Sequence, residues 1–151
     1  MAENGRLLVL AGAALADLKE VPPSIRRLID AADQVFVVTP ALTSRIEWLV
    51  SDVDRARHAA DERLDAILGQ LRTADVPARG TVGDDSPFDA VADHVHDFSP
   101  DHILIALRSG EHAGWQERGL VERVQAIAHV PVTIFEIDAS GHAVDRSVVD
   151  T

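Results

Sequence analysis

Between His102 and Pro131 the chain passes from a short apolar run, HILIAL, through the loop RSGEHAGW and a helix-periodic stretch into a second apolar run that opens at Pro131. A continuous apolar run of this length, ended by a polar loop and followed by a helical pattern, marks a strand covered on both faces and returned to the sheet by a crossover helix. The same arrangement recurs upstream. RLLVLA (Arg6 to Ala11) ends at Gly12, QVFVVT (Gln34 to Thr39) ends at Pro40, and a weaker run from Ala78 to Val82 ends at Gly83 and Asp84. With His102 to Leu107 and Val132 to Ile137 these make five predicted strands.

The intervening segments read as helices. Pro22 and Pro23 set a helix start, with Ile25, Leu28, Ile29 and Ala32 on one face. From Asp52 onward Val53, Ala56, Ala60, Leu64, Ile67, Leu68 and Leu71 form one stripe of a long helix, while Arg55, Arg57, Asp61, Glu62 and Arg63 fall mostly on the opposite, solvated side. Ser86 and Pro87 read as cap and first turn, Asp89 adds negative charge there, and Phe88, Val91, Ala92 and Val95 face inward. Gln116 to His129 supplies a further helix. The stretch after Pro40, with Ile46, Trp48, Leu49 and Val50, reads as a short helical or irregular packed segment.

Strands alternating with helices predict an α/β fold, a parallel sheet with right-handed crossovers and helices on both faces. In such a sheet ligands sit beyond the carboxyl ends of the strands, where the strand order reverses. That points to Gly12 and Ala13, Thr39 and Pro40, Gly83 to Ser86, and Leu107 to Gly114. Residues 1–138 are expected to form a single domain and residues 139–151 a loose C-terminal tail, whose Val144, Val148 and Val149 are available to dock on a partner surface.

Composition narrows the function classes. The length of 151 residues suits one core, and 46% hydrophobic with 26% charged residues describes a soluble globular chain. Aromatics make up 4%, so aliphatic side chains must build that core. Twenty-five acidic residues against 14 Lys and Arg give a net charge of -11, which repels phosphate backbones and anionic lipid. No nucleic-acid or membrane partner is therefore expected. The absence of cysteine excludes disulfides and thiolate metal sites. The early apolar stretch is interrupted by Asp17 and Lys19 before it is long enough to span a bilayer. A cytoplasmic protein without a targeting signal is expected.

The order of elements, the segment VGDDSPFDAVADHV, and the run from DHILIALRSG to VPVTIFEI resemble the universal stress protein family over nearly the whole chain. Val82, Gly83 and Asp84 stand where members show a valine followed by Gly-Asp. Ala126, Ala128, Pro131 and Val132 match the family's alanine-rich helix and the Pro-Val that opens its last strand. The resemblance implies a three-layer sandwich of the adenine nucleotide alpha hydrolase-like type, with a five-stranded parallel sheet between helices. It also implies a ligand cradle drawn from Gly12, Val38, Ala106, Arg108, Ser109, Gly119 and Leu120.

That cradle departs from the family's nucleotide-binding branch, which carries Gly, two residues, Gly, nine residues, then Gly followed by Ser or Thr. Here the register holds Ala106, Leu107, Arg108, Ser109, nine residues, then Gly119 and Leu120, so the last glycine alone is kept. The branch's aspartate at the end of the first strand is replaced by Gly12. A side chain at Ser109 narrows the approach of phosphate to backbone N–H groups, Leu120 lacks a hydroxyl, and Glu111 and Glu117 add negative charge near the helix start. Arg108 matches a basic residue often found in the family's loop and can hold a lone anion. These departures argue against ATP or AMP as a cofactor. The expected function is a dimeric regulatory or interaction module, paired through the last strand (Val132 to Ile137), whose apolar edge suits pairing across a two-fold axis. The alternative is a protein that binds an adenine nucleotide or another small anion through Arg108, Ser109 and Gly119 with a rearranged loop.

No catalytic or metal set emerges, and enzyme activity is not expected. His94 and His96 are two apart on a helix and point to different faces, and His58 and Glu62 have the i, i+4 spacing but lie on a charged, solvated side. Ser109 and His112 share a loop without a GxSxG elbow or an orienting acid. Asp84 and Asp85 before Ser86-Pro87 read first as turn chemistry. Trp115, just ahead of a helix start, either caps the core or fills the emptied nucleotide cleft.

Overall fold

All five apolar runs form strands of one sheet in the computed structural model, which describes residues 5–12, 21–41, 53–83, 87–108, 119–138 and 140–150. The strands are β1 (Arg6–Ala11), β2 (Gln34–Pro40), β3 (Ala78–Gly83), β4 (His102–Arg108) and β5 (Val132–Ile137). The described helices are α1 (Pro23–Asp30), α2 (Val53–Thr73), α3 (Pro87–Phe98) and α4 (Leu120–Ala128). Ala13, residues 42–52, Asp84 to Ser86, and the loop from Ser109 through Trp115 to Glu117 lie outside the described residues.

The sheet order is β3-β2-β1-β4-β5-β6, with β1 to β5 mutually parallel. Alternation along each strand divides its side chains between two cores. Leu7, Val9 and Ala11 of β1, Val35 and Val37 of β2, Leu104 and Ala106 of β4, and Phe135 and Ile137 of β5 meet α1 and α2. Leu8 and Leu10, Val38, Ile103, Ile105 and Leu107, and Val132 and Ile134 meet α3 and α4 on the opposite face. Both faces of the central strands are covered, which is why their sequences read as continuous apolar runs instead of alternating ones.

Local chemistry sets the helices. Pro22 and Pro23 start α1 as expected, with the N–H groups of Ile25 and Arg26 both bonded to the Pro22 carbonyl at 3.0 Å. The stripe of α2 buries Ala60, Leu64, Leu68 and Leu71. In α3 the inward face centres on Ala90 and Val91, whereas Ala92 is half-buried. The described part of the last helix begins at Leu120, preceded by Gly119 with a left-handed φ of 77° that an α-helix does not accommodate; the expected start at Gln116 lies outside the described residues.

The segment expected as a loose tail is a sixth strand. β6 (Ala143–Asp150) pairs antiparallel with β5. Asp138 makes the turn: its Oδ1 accepts the N–H groups of Ser140 at 2.8 Å and His142 at 3.0 Å, its own N–H bonds the His142 carbonyl at 2.8 Å, and Gly141 adopts φ 85°. Aspartate, serine and glycine are turn formers for these reasons, and β-branched valines follow. β5 is consequently flanked by β4 and β6, so Val132 to Ile137, expected at the sheet edge, is interior, and β6 is the outermost of the described strands on that side.

Candidate functional site

From β1 the chain steps to β2 and β3 on one side and later returns to β4 on the other, so the strand order reverses between β1 and β4. The carboxyl ends of these two strands therefore form the crevice where a fold of this class receives ligands. Ala11 stands opposite Ala106 in the β1–β4 ladder. Just beyond, the N–H of Gly12 donates to the Ala106 carbonyl at 2.8 Å. That hydrogen bond extends the ladder by one residue.

The side chains of the expected cradle diverge. Ala106, 5% exposed, belongs to the core under α1 and α2. Val38, fully buried, and Leu120, 4% exposed, belong to the core on the opposite face. These three positions are walls of two separate interiors, not parts of one surface. Leu120 anchors the first turn of α4 there. Arg108 ends β4 opposite Ile137, and Ser109 lies outside the described residues.

Gly119 keeps a role of its own. Its left-handed conformation turns the chain into α4, and its carbonyl accepts the Arg123 N–H at 3.0 Å. A Cβ built there meets nothing within 4 Å, so backbone conformation and not crowding selects glycine. Gly119 thus has a local structural cause.

Other groups near the strand ends are tied inward. The buried Thr39 hydroxyl donates to the Ala60 carbonyl at 2.9 Å, joining the end of β2 to α2. Arg63, expected on the solvated side of α2, is half-buried because its Nη1 reaches the Pro40 carbonyl at 3.3 Å. Sequence periodicity places Arg63 on the helix but does not show that β2 ends within its reach. Beyond β5, Asp138 is held below the ordinary carboxylate range, chiefly by the His142 backbone N–H, with burial opposing and the Ser140 N–H assisting.

Among the described residues no group of three or more His, Asp or Glu is placed to hold a metal ion. His94 lies half-buried with its ring 5.0 Å from that of Phe36, whereas His96 is exposed, so the pair diverges as their spacing requires. His58 and Glu62 form an exposed contact of 2.8 Å along α2. No described helix is long and apolar enough to cross a membrane.

A solved structure of a universal stress protein family protein from Arabidopsis thaliana, with AMP bound, aligns with this chain at a TM-score of 0.53. The identity is 12%, and the alignment covers 89% of this chain and 92% of the other. The likeness extends to the fold: a five-stranded parallel sheet with helices on both faces, to which β6 adds an antiparallel edge here. No protein-family profile and no curated protein matches the sequence.

Proposed function

We propose that this chain is a regulatory or interaction module on a universal stress protein-like fold that has lost nucleotide binding. The observation that carries the reading is the division of Val38, Ala106 and Leu120 between two separate cores. A nucleotide needs donors and small groups converging on one crevice. Support for the loss comes from the buried aliphatic side chains of Val38, Ala106 and Leu120 and from the Gly12 N–H, which is engaged by the sheet ladder. Activity then lies in presenting a surface, and catalysis is not part of the role. Homodimerisation belongs to the same proposal, moved to the outer edge of β6 because β5 is already paired on both sides. Calorimetric titration of ATP and AMP, after a check for nucleotide carried through purification, is expected to show no heat and no bound nucleotide. Micromolar binding would overturn the loss of nucleotide. Sedimentation as a monomer at micromolar concentration would overturn the dimer separately.

A second reading rests on Gly119 and Arg108. The left-handed turn opening α4 lies in the connection from β4, at the reversed strand order, and the structural neighbour carries AMP. A small anion held there by the loop that begins at Arg108 is the alternative. A rise in thermal midpoint with millimolar AMP or inorganic phosphate would favour it, since a ligand selective for the folded state stabilises that state by mass action.

A further inference from the structure

On the face of the sheet beneath α1 and α2 lies a cavity of about 50 Å³. Its origin is legible in the strand register. Ala11 and Ala106 are directly opposed in the β1–β4 ladder and belong to the same core, so two methyl groups stand side by side at the carboxyl ends of the strands. On the other face the same strands present Leu8, Leu10, Ile103, Ile105 and Leu107. Ile25 of α1, Leu71 of α2 and Phe135 of β5 complete the walls around this recess, each at most 5% exposed. Among the described residues that line it, Gln70 of α2 is the one with a polar side chain.

Chemistry selects the occupant. A bound water requires two to four polar partners, and the described lining supplies few, which disfavours water there. A charge there would lose its hydration with nothing to replace it. Close-packed interiors leave few voids larger than water, and the missing contacts favour any apolar group that fits. An engineered cavity of roughly 150 Å³ accepts benzene or xenon; this recess is about a third of that size. We propose that it is a binding site for a small uncharged apolar molecule, or for a short alkyl end of one. The proposal is independent of whether the strand-end crevice accepts a nucleotide.

Xenon is the probe. In methyl-labelled full-length protein under increasing xenon pressure, saturable shifts are expected at the methyl groups of Ala11, Ala106 and Ile25, with methyls of the α3–α4 core unmoved. Ala106→Val and Ala11→Val each fill the recess and are expected to abolish those shifts while the remaining methyl spectrum stays folded. If one variant fails to fold, the other decides. The absence of saturable shifts in the parent chain overturns the site, and so does xenon binding that survives in every folded filling variant.

Discussion

The two faces of the sheet are built on the same strands and packed to different ends. On one, α3 and α4 lie against each other, with the Arg123 guanidinium 4.0 Å above the Phe88 ring, over large aliphatic side chains. On the other, α1 and α2 make no comparable contact among the described residues. There α2 sits over β2 and β3, drawn in where Gly80 has no side chain: a Cβ at that position would collide with the Val37 carbonyl oxygen and with Leu64 Cδ1. The opposed alanines of β1 and β4 leave the recess beside it. Strand alternation makes the two cores independent, so one face can be closed for stability while the other keeps room near the strand ends.

The comparison is most severely tested on the closed face. Ile105 is fully buried there, and Ile105→Ala is expected to lower unfolding stability by about 2–5 kcal/mol in a urea titration. A loss below about 1 kcal/mol would mean that this core is not tightly packed. Ala90 is also fully buried on that face, and Ala90→Val should cost about 1–3 kcal/mol through overpacking, with a smaller helix-propensity loss included. The same chemical change on the other face, Ala106→Val, should be neutral or stabilising by up to about 1 kcal/mol, because the added methyls enter a void of about 50 Å³. Equal losses for the two alanines would erase the difference between the faces.

How much of this was legible depended on whether the determinant was local. Continuous apolar runs located β1, β2, β4 and β5, because burial on both faces leaves its mark in every residue of a central strand. Pro22 and Pro23 located α1 for a similarly local reason. β6 was missed because its turn is made by hydrogen bonds to one Asp138 oxygen, and its three valines are interspersed, without alternation, among charged and small residues that also suit a tail. The backbone positions of the candidate site followed from strand ends, and Gly12 and Ala106 do meet at the reversal of strand order. The separation of Ala106 from Val38 and Leu120 was not legible, since it depends on which face each side chain takes in the assembled sheet. The recess escaped for the same reason: Ala11 and Ala106 are far apart in sequence and become neighbours only once β1 and β4 pair.

The smallest effect concerns the edge that the closed and open faces share. β6 pairs with β5, and no described helix makes a substantial contact with it, so the β5 ladder and the turn at Asp138 hold it in place. The Asp138 carboxyl has a lowered pKa in the folded chain, chiefly because the ionised group accepts the His142 N–H. A group depressed in this way contributes stability that is full above its unfolded pKa of about 3.9 and is lost as pH falls through its folded value. Acidification below the ordinary carboxylate range should therefore loosen the β5–β6 turn slightly before either helical core opens. In amide exchange followed downward from about pH 5, with rates corrected for intrinsic pH dependence, Val144 should lose protection ahead of β5 positions bonded to β4. Asp138→Asn keeps an acceptor oxygen but removes the titration, so it should flatten that pH dependence while leaving β6 paired. Asp138→Ala removes both and should weaken β6 at neutral pH. An unchanged acid response in Asp138→Asn, or loss of Val144 protection together with both cores, would show that the edge strand is held by the sheet as a whole and not by its turn.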